Sequence, residues 1–244
     1  DGMRVYGLEW DGEMYSNAQK NVTESKTTKN VTLVHANFAD LLEVLPSDKR
    51  TIDAIIFDLG LSMRQLRTSG RGFTFEGNEP LDLRINVNTD QTAAQIIRRS
   101  NEEELINLFQ KYIEDSQAGP FAKAVLRARF HQGIQSVGDV AEVIKTIIPT
   151  EHGQELFMRK VLQGLRMIVN NELGNIEKGL KAAATVLHKG GLVIIISFHS
   201  LEDRVVKLYF KNNSDLWEAL YKKPLSNSQN KFARSAKLRA YKKL

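Results

Sequence analysis

Leu192-Val193-Ile194-Ile195-Ile196-Ser197 is the stretch that decides the fold. It is short, apolar and largely β-branched, so it reads as a strand. Its five apolar residues are the longest such run in the chain and fall far short of a membrane span. Upstream, Leu162, Leu165, Met167, Ile168, Leu173, Ile176, Leu180 and Ala183 recur at helical spacing, which predicts a helix over 160–187 closed by Gly190-Gly191. Three further strands are predicted at 4–8, 31–35 and 54–57, with a helix over 13–23 between the first two. Strands alternating with helices predict an α/β fold with a parallel sheet.

The stretch 63–149 breaks that alternation. It opens with a loop carrying Gly70, Gly72 and Gly77 and then turns helical. Asn101-Glu102-Glu103-Glu104 reads as a helix start, a second helix is predicted over 121–130 after Pro120, and a third over 137–148 ends at Pro149. This predicts a helical insertion, with boundaries at 1–64 for the first part of the sheet domain, 65–155 for the insertion and 156–244 for the second part. Residues 226–229 read as a loop.

The 244 residues include no cysteine. That excludes a disulfide framework, a Cys-ligated metal site and a thiol nucleophile. The five histidines (His35, His131, His152, His188, His199) lack ligand spacing, so no metal centre is expected. Hydrophobic residues at 42% and charged residues at 26% are ordinary for a globular protein. Lys and Arg (34) exceed Asp and Glu (29) by five, and the location of the excess matters more than its size. Residues 221–244 carry eight basic residues and no acidic one, which suggests a polyanion partner or a solvated tail.

Candidate chemistry clusters at the predicted strand ends, where ligands bind in open α/β sheets. Glu9 ends the first strand and suits the two hydroxyls of a ribose; a chance surface carboxylate is the plain alternative. Phe38 follows the second strand, beside Asn37 and Asp40, and suits an adenine face or a core aromatic behind a helix cap. Asp58 ends the third strand, ahead of Gly60, and suits a cationic ligand group or the amine of a base; a loop-capping acid is the plain alternative. Ser197, His199, Ser200 and Asp203 follow the last strand. A Ser-His-Asp hydrolase lacks its G-x-S-x-G elbow here. Arg71, Phe73 and Arg84 belong to a loop whose aromatics and arginines suit RNA or a solvated loop.

Six motifs, taken together, are similar to those of one family: Asp58-Leu59-Gly60-Leu61-Ser62, Arg71-Gly72-Phe73-Thr74-Phe75, Pro80-Leu81-Asp82-Leu83-Arg84, the run from Leu165 to Leu173, Ser197-Phe198-His199-Ser200-Leu201-Glu202-Asp203-Arg204, and Arg234-Ser235-Ala236-Lys237-Leu238-Arg239. The chain resembles the RsmH (MraW) family along nearly its whole length. The resemblance implies a class I, Rossmann-like methyltransferase sheet with an inserted helical, substrate-recognising domain. It implies S-adenosyl-L-methionine as cofactor and methyl transfer to N4 of a cytidine in the decoding region of 16S ribosomal RNA, in the cytoplasm. It places cofactor contacts on Glu9, Phe38, Asp58 and Gln65. The family's glycine-rich loop would precede the first residue, so the chain is expected to be N-terminally truncated and to bind cofactor more weakly. Two smaller departures are Leu156-Phe157-Met158-Arg159-Lys160 ahead of the long helix, and Trp10 after the acidic residue.

Chemistry adds the remaining expectations. The cytosine amine is a poor nucleophile and must be held in line with the methyl donor. Asp58 is the first candidate to accept its hydrogen, followed by His199 and Ser197. Arg71, Phe73, Arg84, Asp203, Lys237 and Arg239 are the expected substrate or RNA contacts. The alternative is that Arg234 and Lys237 pair with acidic residues of the sheet domain and merely dock the tail. The alternative for the whole chain is a non-catalytic RNA-binding or ribosome-assembly module on the same fold.

Overall fold

The structure is a computed structural model and describes residues 2–25, 29–45, 52–89, 91–131, 133–226 and 235–244. Arg234, Lys231 and part of the predicted loop at 226–229 lie outside the described residues. In chain order the elements are β1 (Val5–Glu9), α1 (Gly12–Glu24), β2 (Val31–His35), a 3-10 turn (Phe38–Asp40), α2 (Leu41–Val44), β3 (Ile52–Asp58), α3 (Met63–Thr68), α4 (Ala93–Arg99), α5 (Glu102–Tyr112), α6 (Ala118–His131), α7 (Val137–Lys145), α8 (Glu151–Val169), α9 (Glu172–Val186), β4 (Leu187–Ser197), α10 (Ser200–Asn212), β5 (Trp217–Ala219) and β6 (Lys237–Lys243). They form two compact units, residues 1–60 with 173–244, and residues 61–172.

The first unit holds the strands. β1 pairs in parallel with β2, and β3 in parallel with β4. β6 runs antiparallel to both β4 and β5, giving the order β3-β4-β6-β5. All four predicted strands are present. β5 and β6 are the additions, and in β6 the basic segment, conspicuous by its charge, forms a strand. Alternate residues Leu238 and Ala240 share one face, and Tyr241 stacks on Phe210 of α10 with ring centroids 3.5 Å apart. Behind the strands, Leu41 and Leu45 meet Ala182 and Val186 of α9, and Tyr6, Leu8, Ile52 and Ile55 pack on that cluster. Apolar burial of this kind is the main force holding helices onto sheets.

The helix predicted over 160–187 is two helices. α8 stops at Asn170, and Asn171 adopts a left-handed backbone with φ 47°. Asparagine tolerates that region better than most residues, which lets one helix end and α9 begin at the very next position. The second unit is helical. Phe109 stacks on Phe121 at 5.2 Å, and Phe121 meets Phe157 edge-on at 5.5 Å. Phe157, Val161 and Leu165 of α8 belong to this core, although the boundary at 155/156 assigns them to the sheet domain. α6 starts three residues ahead of its predicted position. Pro120 fits its first turn, where no intrahelical N–H is required. α5 begins as expected: Asn101 Oδ1 accepts from the Glu104 N–H at 2.9 Å, and the Glu104 carboxylate accepts from the Asn101 N–H at 2.9 Å. Among the described residues no helix is long and apolar enough to cross a membrane.

Candidate active site

The sheet unit presents acidic residues where its parallel strands end. Glu9 is the last residue of β1, and its Oε1 accepts the Asp11 N–H at 2.8 Å. Burial pushes its carboxyl above the ordinary carboxylate range, against the opposing Asp11 bond. Asp11 is itself buried and caps α1, accepting from Glu13 N at 2.9 Å and Met14 N at 3.2 Å. His35, opposite Glu9 in register, stacks on Tyr15 of α1 at 5.2 Å. A half-buried acid beside a helix N-terminus is therefore fixed by local capping.

Asp58 ends β3 opposite Ile196 of β4, and the pairing continues one step further through Leu59 N–H to Ile196 O at 3.0 Å. Its side chain is exposed and makes no hydrogen bond or ion pair with any described residue. The chain then turns through Gly60 at φ +95°, a conformation that favours glycine. A Cβ on Gly60 would sit 3.7 Å from the ring of Phe198, so that ring lies beside the turn. Phe198 is more than a third exposed. Carboxylate, bare backbone and open aromatic ring thus adjoin at one strand end.

The residues after β4 are used differently. Ser197 is buried, with its hydroxyl donating to Lys237 O at 3.4 Å. His199 caps α10, its Nδ1 accepting from Leu201 N at 3.3 Å. Glu202, also buried, accepts from the N–H groups of Phe198 at 2.8 Å and His199 at 3.1 Å. Asp203 is 8% exposed. It receives Arg239 Nε at 2.7 Å, Arg239 Nη2 at 3.1 Å and Lys237 Nζ at 3.2 Å. Burial opposes its ionisation, but Arg239 and Lys237 outweigh it and hold the carboxyl below the ordinary range. This is the docking arrangement for Lys237, Arg239 and Asp203.

Phe38 is part-buried and meets Phe57 edge-on at 5.5 Å. α9 approaches it closely: a Cβ on Gly179 would lie 2.8 Å from the Phe38 ring. Asn37 caps the 3-10 turn through Ala39 N at 2.9 Å.

In the second unit the expected residues are tied into its backbone. Gln65 is buried and forms a capping box with Ser62, its Oε1 accepting the Ser62 N–H at 2.9 Å. Arg71 Nη1 donates to Arg84 O at 3.0 Å and Ile85 O at 2.7 Å, and its guanidinium lies 5.3 Å from the buried Phe73 ring. Arg84 grips Asp82 with two bonds, at 2.7 and 2.8 Å, and donates to Val87 O and Thr89 O. Burial opposes ionisation of Asp82, yet Arg84 holds it below the ordinary range. Asn170 completes the loop, donating to Leu83 O at 2.7 Å and accepting from Ile85 N at 2.7 Å. Leu83 between them is fully buried at φ 60°, a strained position for a side chain of its shape.

Comparison with known proteins places this geometry. The model of the MraW methylase family matches residues 1–244. The chain belongs to the MraW methylase family. Among relatives called ribosomal RNA small subunit methyltransferase H, that of Dictyoglomus thermophilum is 38% identical over 242 residues, 96% of this chain and 80% of the relative. That of Thermosipho melanesiensis is 38% identical over 250 residues, 99% of this chain and 83% of the relative. That of Desulforapulum autotrophicum is 38% identical over 212 residues, 85% of this chain and 67% of the relative.

As an MraW methylase, the chain is a methyltransferase on a class I α/β fold. Two residues escape sequence reasoning. Phe198 is legible there only as part of a string, because its place beside Gly60 depends on the β3–β4 pairing. Asn170 looks like one position of a long helix. A double Asn inside an otherwise apolar periodicity is the signal that marks the break.

Proposed function

We propose that the protein transfers a methyl group from S-adenosyl-L-methionine to the exocyclic N4 of a cytidine in the decoding region of 16S ribosomal RNA. The observation that carries this reading is Asp58, an exposed carboxylate with no partner among the described residues, at the carboxyl end of a parallel strand in a methyltransferase fold. The residues present fit the cofactor. Glu9 has one oxygen held by Asp11 N–H and offers the other to ribose hydroxyls. Phe38 supplies an apolar flank, and Gly60 admits a ligand close to the backbone. When bound, the cofactor supplies an electrophilic methyl group on a sulfonium.

Asp58 then accepts a hydrogen of the cytosine amine. This turns the nitrogen lone pair toward the methyl group and favours a pyramidal nitrogen. On transfer the methyl carbon would pass from the sulfonium sulfur to N4, and the N4 proton released would go to Asp58 or to water. Phe198 offers its ring to the base, which must leave its stack to reach such a site. His199 and Ser197 act through position: one caps α10 and the other ties β4 to β6.

The test is methylation of small ribosomal subunits that lack the modification, with labelled S-adenosylmethionine and mass spectrometry of the rRNA nucleosides. N4-methylcytidine is the expected product. A methyl group on another base atom, or none, would refute the proposal.

A further inference from the structure

α6 carries an exposed face that the site above does not use. Phe121, Ala122, Val125 and Leu126 are buried, whereas Lys123, Arg127, Phe130 and His131 recur at helical spacing in solvent. Phe130 is 79% exposed. Its neighbour Arg129 is fixed, donating to Ile97 O at 3.0 Å and Ser100 O at 2.6 Å, with its guanidinium 4.9 Å from the Phe130 ring. Lys123 and Arg127 stand over a cleft of about 390 Å³ whose apolar walls include Ile106, Pro120 and Ile147. Glu102 and Glu103, exposed in the first turn of α5, follow Ser100 closely in the chain.

We infer that this face of α6 binds single-stranded RNA, on the reading that the protein acts on ribosomal RNA. Lys123 and Arg127 each neutralise a phosphate, at helical spacing. The cleft beneath them takes the apolar side of a sugar or base. Phe130 supplies a stacking surface that is already backed by a guanidinium. Basic groups interleaved with an open aromatic ring suit a polyanion with flat bases better than a purely charged partner.

The test is binding of labelled oligouridylate and of 16S rRNA by the full chain across a salt series. The arms are wild type, the double variant Lys123→Ala/Arg127→Ala, and Phe130→Ala. All three side chains are exposed, so melting temperatures should stay at the wild-type value. The double variant should flatten the log–log salt slope by about 1.4, at roughly 0.7 for each phosphate that is no longer neutralised. Phe130→Ala should weaken binding about tenfold with an unchanged slope, as expected for removal of one stack. Wild-type slope and affinity in both variants would overturn the inference and leave the proposed function standing. Failure of wild type to bind either RNA would overturn both. Intact RNA binding with loss of polyglutamate binding in the double variant would assign the face to an acidic protein segment and overturn the inference.

Discussion

Asp58 and Asp203 are two aspartates at or just past the ends of neighbouring strands, and they live opposite lives. Asp58 faces solvent with no hydrogen-bond or ion-pair partner among the described residues. Asp203 is buried under Arg239 and Lys237, and its three bonds tie α10 to β6. The contrast teaches that an acid at a strand end signals chemistry only when its charge is uncommitted. An ion pair that is already satisfied has little left to offer a substrate.

The contrast can be broken most forcefully at Asp203. Asp203→Ala leaves Arg239 as an uncompensated, mostly buried charge and should cost about 3 kcal/mol of stability. Urea denaturation measures this, and a loss below about 0.5 kcal/mol would mean the pair does not dock the strand. The pH dependence has a definite sign. A carboxyl held below its ordinary value stabilises the fold above the unfolded pKa, near 3.9. That contribution disappears as pH falls from there through the folded value. The Asp203→Asn variant should therefore lose part of the acid limb of the wild-type stability curve.

Asn170 extends the contrast to the helical unit. Asn170→Ala strands the part-buried N–H of Ile85 and the buried carbonyl of Leu83, at a cost of about 2 kcal/mol. Faster amide exchange at Ile85 should accompany the loss, and unchanged exchange would detach the loop from Asn170. Phe198→Ala should raise KM for rRNA about tenfold, near 1.4 kcal/mol, the order of one base–aromatic stack, with a melting temperature close to wild type. A lowered melting temperature with unchanged KM would return Phe198 to packing.

Glu9 is intermediate between the two aspartates, with one oxygen committed by the Asp11 N–H. Its raised pKa means that the folded state holds the proton longer than the unfolded one. Stability from this group therefore falls as pH rises from about 4.3 through the folded value. Glu9→Gln should remove that slope and gain under about 1 kcal/mol at neutral pH, while weakening cofactor binding. Calorimetry with S-adenosylmethionine, alongside urea titrations at pH 4 and 7, checks both signs.

What is legible in the sequence is what local physics decides. β4 follows from its run of β-branched residues, and α5 from a cap whose two partners are three residues apart. Asp58 stands out because a strand, an acid and a glycine are contiguous. Unreadable features depend on distant partners. Asp203 meets Lys237 and Arg239 across 34 and 36 residues, so nothing local marks it as neutralised. The basic segment hides β6 because its charge outweighs the weak alternation of Leu238 and Ala240. Gln65, expected at the cofactor, forms a capping box with Ser62, a pattern present in the sequence but outweighed by the family spacing. The break at Asn170 answers to the loop at Leu83, 87 residues away.

We propose that Asp58 is the uncommitted carboxylate at which the amine of the base is held. Its most direct test sets Asp58→Ala beside wild type in single-turnover methyl transfer from labelled S-adenosylmethionine to small-subunit rRNA, with urea denaturation of both proteins. We predict a rate about 10²- to 10³-fold lower, the scale of removing one group that stabilises the transition state. Folding stability should stay within about 0.5 kcal/mol of wild type. Transfer at the wild-type rate by Asp58→Ala would contradict the assignment of Asp58 as the acceptor.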